Sequence, residues 1–314
     1  MSMDTTETRS SKLTTKKAEQ ALLARNNRIR KFTVADGILI FLLSAFALSI
    51  LYPFYNAVLV SLVPQQIYVR SPFMLWPKAI IWDSYEFVFK SRLIWSSMLN
   101  SVIVSVVGTA YNMTLTVLCA YALNKPLPGR RFFRFLIVFT MYFSGGIIPF
   151  YLLIKDLKLM NTLAVMIIPS GIAILYMLII SNYFRSLPPS LEESAKLDGA
   201  SDMTILLRII LPLSLPLLAT FTLYYVVDRW NEWFNAMMFI RSTEKWPLQL
   251  TLRKIIQDAN FANTTLVPGQ VRPDTYGDSI KMASVVVTMF PMMMLYPFLQ
   301  RYFLSGMMLG AVKE

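Results

Sequence analysis

The chain has 314 residues, 55% of them apolar and 15% charged, with a mean hydropathy of +0.51. A soluble domain carries roughly 25% charge, so an ordinary soluble globule and a disordered chain are both excluded. The net charge of +12, from 30 basic and 18 acidic residues, marks loops facing anionic headgroups in so apolar a chain, not a nucleic-acid partner. With no histidine and the single cysteine Cys119, His-ligated metals, Ser-His or Cys-His catalysis, a Cys-based zinc site and an intrachain disulfide are excluded.

A helix needs roughly 20 apolar residues to cross the hydrocarbon core. Six runs qualify, at about 34–55, 94–121, 132–154, 161–184, 209–230 and 281–303. They predict an all-α polytopic membrane protein with a six-helix transmembrane domain over 34–303. The first run is too long for a signal-peptide core and no small-residue cleavage site follows it, so it reads as a retained helix.

Orientation follows from Lys and Arg in the short flanks. Residues 1–33 carry Arg9, Lys12, Lys16, Lys17, Arg25, Arg28, Arg30 and Lys31, and the second connection carries Lys125, Arg130, Arg131 and Arg134. Both segments, the 187–212 loop and the tail 304–314 are therefore expected in the cytoplasm. The extension can lie on anionic lipid as an amphipathic helix. Segments 56–93 and 231–280 then become long outer loops. Trp76, Trp82, Tyr85, Trp95, Trp233 and Trp246 in or beside them read either as an interfacial belt or as a vestibule for a ligand or partner.

Several spans are interrupted. The third holds Ser144-Gly145-Gly146 and Pro149, the fourth Pro169-Ser170-Gly171, and the sixth Pro291 and Pro297. Broken helices at membrane depth are tolerated only where protein or a water-filled cavity covers the freed backbone, although close contacts through small residues would also use them. No acid, Lys or Arg is expected mid-span, since Asp228, Arg229 and Glu232 fall at the outer end of the fifth. That argues against ion-driven secondary transport and an intramembrane enzyme. Uncharged Ser105, Thr109 and Asn112 fit either a neutral path or helix–helix hydrogen bonds.

The 187–212 loop is the most specific segment. Pro188-Pro189 ends the fourth span, Ser190 and Glu193 have capping-box spacing for a new short helix, and Gly199 is placed to stop it. Ser201 can cap a second short helix running into Arg208-Ile209-Ile210-Leu211-Pro212. Here the sequence resembles the permease subunits of bacterial ABC importers. Their cytoplasmic motif reads Glu-Ala-Ala, three residues, Gly, nine residues, Ile, one residue, Leu-Pro. This chain has Glu193-Ser194-Ala195, Gly199, Ile209 and Leu211-Pro212 at those spacings, departing only by Ser194. Asp198 and Ala200 complete an Asp-Gly-Ala turn usual in sugar permeases. The resemblance continues nearly throughout from about residue 30. It includes Phe143-Ser144-Gly145-Gly146-Ile147-Ile148-Pro149, Asn161-Thr162, Trp230-Asn231-Glu232-Trp233 and Pro247-Leu248-Gln249, which look like a carbohydrate branch serving oligosaccharides such as alginate and pectin fragments.

The resemblance implies a type I importer permease fold and assigns Glu193, Ser194, Ala195, Asp198, Gly199, Ala200, Ile209, Leu211 and Pro212 to ATPase coupling. It also implies a second homologous permease, two ATP-binding subunits and an extracytoplasmic solute-binding protein. No phosphate-cradling Gly-x-x-x-x-Gly-Lys-Ser/Thr loop occurs, so ATP and Mg belong to the partners and no cofactor or catalytic residue is expected in this chain. Candidate sugar contacts are Asn112, Ser144, Gly145, Tyr224, Trp230, Asn231 and Trp233. A permease for an amino acid or phosphate would use the same coupling loop. A secondary transporter is disfavoured by that loop.

Overall fold

In a computed structural model, the described residues are 33–64, 67–68, 74–77, 79–264 and 278–311. All regular structure among them is helical. The chain divides into two units, Met1–Tyr55 and Asn56–Glu314. The eight basic residues of the N-terminal extension lie outside the described residues.

The described part of the first unit is the start of α1 (Val34–Leu62). Thr33 precedes the helix, and its backbone N–H donates to Asp36 Oδ2 at 2.9 Å. That satisfies one donor at the helix start and places an acid at its positive end. The most apolar stretch of α1 has a mean hydropathy of 2.3 and no buried residue. A stretch apolar on all sides with no buried residue is built for lipid.

The second unit is organised around a long helix. After α2 (Asp83–Lys90) comes α3 (Arg92–Ala122), which packs against the later helices Ile174–Ser186, Leu215–Trp230 and Leu248–Thr264. The third predicted span is two helices, α4 (Arg130–Tyr142) and α5 (Ile147–Asp156), meeting at 117°. The break is local chemistry. Gly146 adopts φ 85°, ψ 174°, a region essentially restricted to glycine, and its N–H donates to Ser144 Oγ. Pro149 falls in the first turn of α5, where its missing N–H costs nothing.

The fourth predicted span, 161–184, is not one helix. It comprises a 3-10 turn (Leu163–Met166), an irregular stretch through Pro169-Ser170-Gly171, and α6 (Ile174–Ser186). At 1.5 Å per residue α6 is ~20 Å long, short of the ~30 Å hydrocarbon core. Next come α7 (Pro189–Leu197), α8 (Asp202–Ile205), a π-type turn (Leu206–Ile210) and α9 (Leu211–Leu213). A bend of 86° at Ser214 leads to α10 (Leu215–Trp230) and α11 (Phe234–Phe239), followed by α12 (Leu248–Thr264). Pro212 and Pro216 flank that bend and lack the N–H a continuous helix would use. The last helix, α13 (Asp278–Ala311), runs past the predicted span into the expected tail. Among the described residues three helices are long and apolar enough to span, or five if each bent pair counts as one.

α3 carries a polar stripe at helical spacing. Ser97, Ser101, Ser105, Thr109, Asn112 and Thr116 are all buried. Ser97 pairs with Thr251 at 2.7 Å, Ser101 Oγ accepts from Leu248 N, and Thr116 pairs with Tyr225 at 2.7 Å. Lipid is as apolar as leucine, so bundle helices associate through close packing and such bonds. The apolar clusters between them hold Met177, Ile180, Ile205, Leu206 and Phe221 near one end of α3, and Ile154, Met166 and Phe239 nearer the other.

Candidate functional site

The Pro189–Leu213 segment forms two short helices joined by a sharp turn. Pro188 occupies the N-cap of α7 and makes no side-chain bond. The expected Ser190–Glu193 capping box is therefore absent, because Pro189 enters the helix and moves Ser190 inside the first turn. The C-terminus follows expectation. Gly199 has φ 78°, its N–H donates to Lys196 O at 3.0 Å, and Ala200 N donates to Ala195 O at 2.9 Å. That is the Schellman pair, which needs a left-handed residue. Ser201 caps α8, accepting from Thr204 N at 3.3 Å.

Burial divides this segment in two. Ala195, Ala200, Ile209 and Leu211 pack on the cluster around Phe184 and Phe221. Glu193, Ser194, Asp198, Gly199 and Pro212 are exposed, and Leu197 is 90% exposed. An acid, a serine and a bare leucine thus share a surface with no partner among the described residues.

One residue fastens the two helices to the body. Lys125, just beyond α3, donates to Glu192 of α7 at 2.8 Å and pairs with Asp202 of α8 at 2.9 Å. Its Nζ also lies 4.3 Å from the centre of the Tyr121 ring, and its side chain is 11% exposed. Burial alone would lower the Lys125 ammonium, but the bonds to Glu192, Tyr121 and Asp202 outweigh it and hold the group above the ordinary lysine value. The Lys125 hydrogen bond holds the Asp202 carboxyl below its ordinary value. In the sequence Lys125 served only as an orientation marker, and nothing in its local pattern pairs it with acids 67 or more positions away.

A second polar centre shows that a charge expected at the outer end of the fifth span is buried. Arg229, near the end of α10, is 4% exposed. Its guanidinium donates to Asn112 Oδ1 at 3.2 Å and to the carbonyls of Met166 and Ser170. Asn112 Nδ2 also donates to Ser170 O, at 2.6 Å. These carbonyls belong to the broken fourth span, so Arg229 and Asn112 satisfy backbone groups freed around Pro169. A Cβ on Gly108 would stand 3.0 Å from Arg229 Cδ, so that glycine makes room for the stem. The neighbouring Asp228 turns away, accepting from Tyr176 OH at 3.2 Å.

The residues predicted as sugar contacts are not gathered at one point. Asn112 belongs to the Arg229 centre. Ser144 and Gly145 sit exposed at the α4–α5 break. Tyr224 packs beside Tyr176 and Phe221. Trp230 is buried in a cluster with Val88, Ile94 and Leu248. Asn231 is exposed and accepts from Gln249 Nε2, while the Arg253 guanidinium covers the Trp233 ring at 4.0 Å. Trp76, Trp82 and Trp95 are exposed.

Comparison with known proteins bears on this arrangement. Residues 21–308 match the model of a family described as "Binding-protein-dependent transport system inner membrane component". The polygalacturonan/rhamnogalacturonan transport system permease protein YtcP of Bacillus subtilis (strain 168) is 39% identical over 272 residues, covering 85% of this chain and 94% of that protein. Protein LplC of the same organism is 39% identical over 287 residues, covering 90% and 95%. Among solved structures, a chain of a bacterial ABC transporter involved in the import of the acidic polysaccharide alginate superposes with a TM-score of 0.77. It is 35% identical, with 87% of this chain and 99% of that one covered.

Proposed function

Because the chain belongs to the family of inner membrane components of binding-protein-dependent transport systems, and is thus a permease subunit of an ABC importer, we propose that it forms half of a translocation pore for an oligosaccharide. The pectin and alginate transporters it resembles support a uronate-rich substrate. The observation that carries the coupling role is α7, whose Glu193, Ser194 and Leu197 are presented outward on a turn held by Gly199. α7 docks an ATP-binding subunit, and closure of the ATPase pair moves it against its counterpart on a second permease. The bundle then alternates between inward- and outward-facing states that ATP and substrate bias differently.

In this reading both termini and the 187–212 segment are cytoplasmic. The 231–280 region faces a solute-binding protein outside, and ATP and Mg are held by the partners. Tyr142, Phe143, Ser144 and Gly145 at the α4–α5 break, and Asn231, offer exposed polar and aromatic surface for sugar.

The test is reconstitution of the complex with its ATPase and solute-binding protein. Glu193→Ala combined with Gly199→Asp is expected to insert normally but lose the ATPase on co-purification, or lose uptake. Retention of both would refute the coupling role. Binding assays of the solute-binding protein with pectin- and alginate-derived oligosaccharides test the substrate, and a preference for amino acids or phosphate would overturn it.

A further inference from the structure

We propose that Lys125 is a positioning residue that makes α7, α8 and the end of α3 move as one body. The proposal rests on the reading of α7 as the ATPase-docking element. The geometry argues for it in three steps. First, α7 has no fully buried residue, so apolar packing holds it only through half-buried Ala195 and its neighbours. Second, one Nζ reaches carboxylates on both short helices, Glu192 at 2.8 Å and Asp202 at 2.9 Å. Both are charge-assisted bonds; the Lys125 and Glu192 side chains are 11% and 29% exposed, while Asp202 is 59% exposed, so the Glu192 arm is the better shielded from solvent and the Asp202 arm is closer to a surface pair. Lys196, 4.0 Å from Asp202, adds a weaker contact within the same pair of helices.

Third, the anchor end is itself braced. Asn124 Oδ1 accepts from Ser181 Oγ at 2.9 Å and from Arg185 Nε at 2.7 Å, both on α6. Arg134 of α4 donates to Leu123 O at 2.9 Å. A displacement imposed on α7 therefore reaches α3, and with it the Asn112–Arg229 centre and the Thr116–Tyr225 pair on α10. Without the clamp, the Asp198–Ser201 turn and half-buried alanines are left to carry the load, and α7 can move with the ATPase while the bundle stays behind.

The experiment uses the full complex in proteoliposomes, with pectin-derived oligogalacturonides as probe. It measures probe imported per ATP hydrolysed. Lys125→Met is expected to keep the ATPase bound but to lower that ratio by about 5- to 150-fold, the range of a typical coupling term. Lys125→Arg, which preserves the cation, is expected to restore most of it. If Lys125→Met does not assemble, Glu192→Gln and Asp202→Asn decide, since each removes one arm and is expected to lower the ratio partway. A wild-type ratio in Lys125→Met, or in both single-arm variants, overturns the proposal. Failure of the docking reading looks different: the Glu193→Ala, Gly199→Asp complex would then couple as wild type does.

Discussion

At the scale of single residues, Gly199 and Arg229 show two ways a position becomes irreplaceable. Gly199 has nothing within 4 Å of where a Cβ would stand, so its requirement is purely backbone. Gly199→Ala is expected to destabilise the turn by about 1–2 kcal/mol, and Gly199→Asn by less, because Asn visits the left-handed region more readily. Equal losses in thermal unfolding of the purified complex would show that the turn does not depend on φ. Arg229 is the opposite case, required for its fork of donors. Arg229→Met strands two acceptors, Asn112 Oδ1 and the Met166 carbonyl, at about 1–3 kcal/mol each, while Ser170 O keeps its bond from Asn112 Nδ2; this is an upper bound since the cost of burying the charge is also removed. Arg229→Lys keeps the charge but cannot span the same acceptors, so both variants should lower the unfolding temperature. A lysine variant as stable as wild type would mean that charge alone suffices.

At the scale of elements, the breaks and the clamp determine what the helices can do. Gly145 and Gly146 are adjacent but not equivalent. Only Gly146 has a positive φ, and a Cβ on Gly145 would meet Pro149 Cβ at an ordinary 3.8 Å. Gly146→Ala should therefore cost about 1–3 kcal/mol and impair uptake, while Gly145→Ala should be tolerated; the reverse order would place the hinge one residue earlier. The clamp has a defined pH window. Lys125 is raised, so its stabilisation is full below the ordinary 10.5 and is lost only as pH rises through its higher folded value. Asp202 is lowered, so its stabilisation is present above 3.8 and lost as pH falls through its lower folded value. Between those ordinary values the import-to-ATP ratio should show no titration from this pair, and a transition near neutrality that Lys125→Arg leaves in place would have to arise elsewhere.

At the scale of the whole molecule, the chain is a set of apolar helices whose interruptions do the work. Composition and run lengths determined the helical membrane class, because ~20 apolar residues have few other uses. The spacing from Glu193 to Pro212 carried the resemblance to importer permeases, and the Gly199 stop and the Ser201 cap followed from local backbone rules that act within a few residues. The sequence could not show that the fourth span is broken into a 3-10 turn and α6. Whether Pro169-Ser170-Gly171 kinks a helix or ends it depends on what receives the freed carbonyls, and the receiver, Arg229, lies 59 positions away from Ser170. For the same reason Arg229 read only as a residue at the outer end of the fifth span, and Lys125 as a loop charge. The Ser190 capping box failed more locally, since the helix begins at Pro189, two residues early. Sequence alone thus determined the helical membrane class and local stops such as the one at Gly199. The tertiary structure decided which charges are buried and what they hold, because a charge becomes affordable inside a bundle only when distant segments bring it hydrogen-bonding partners.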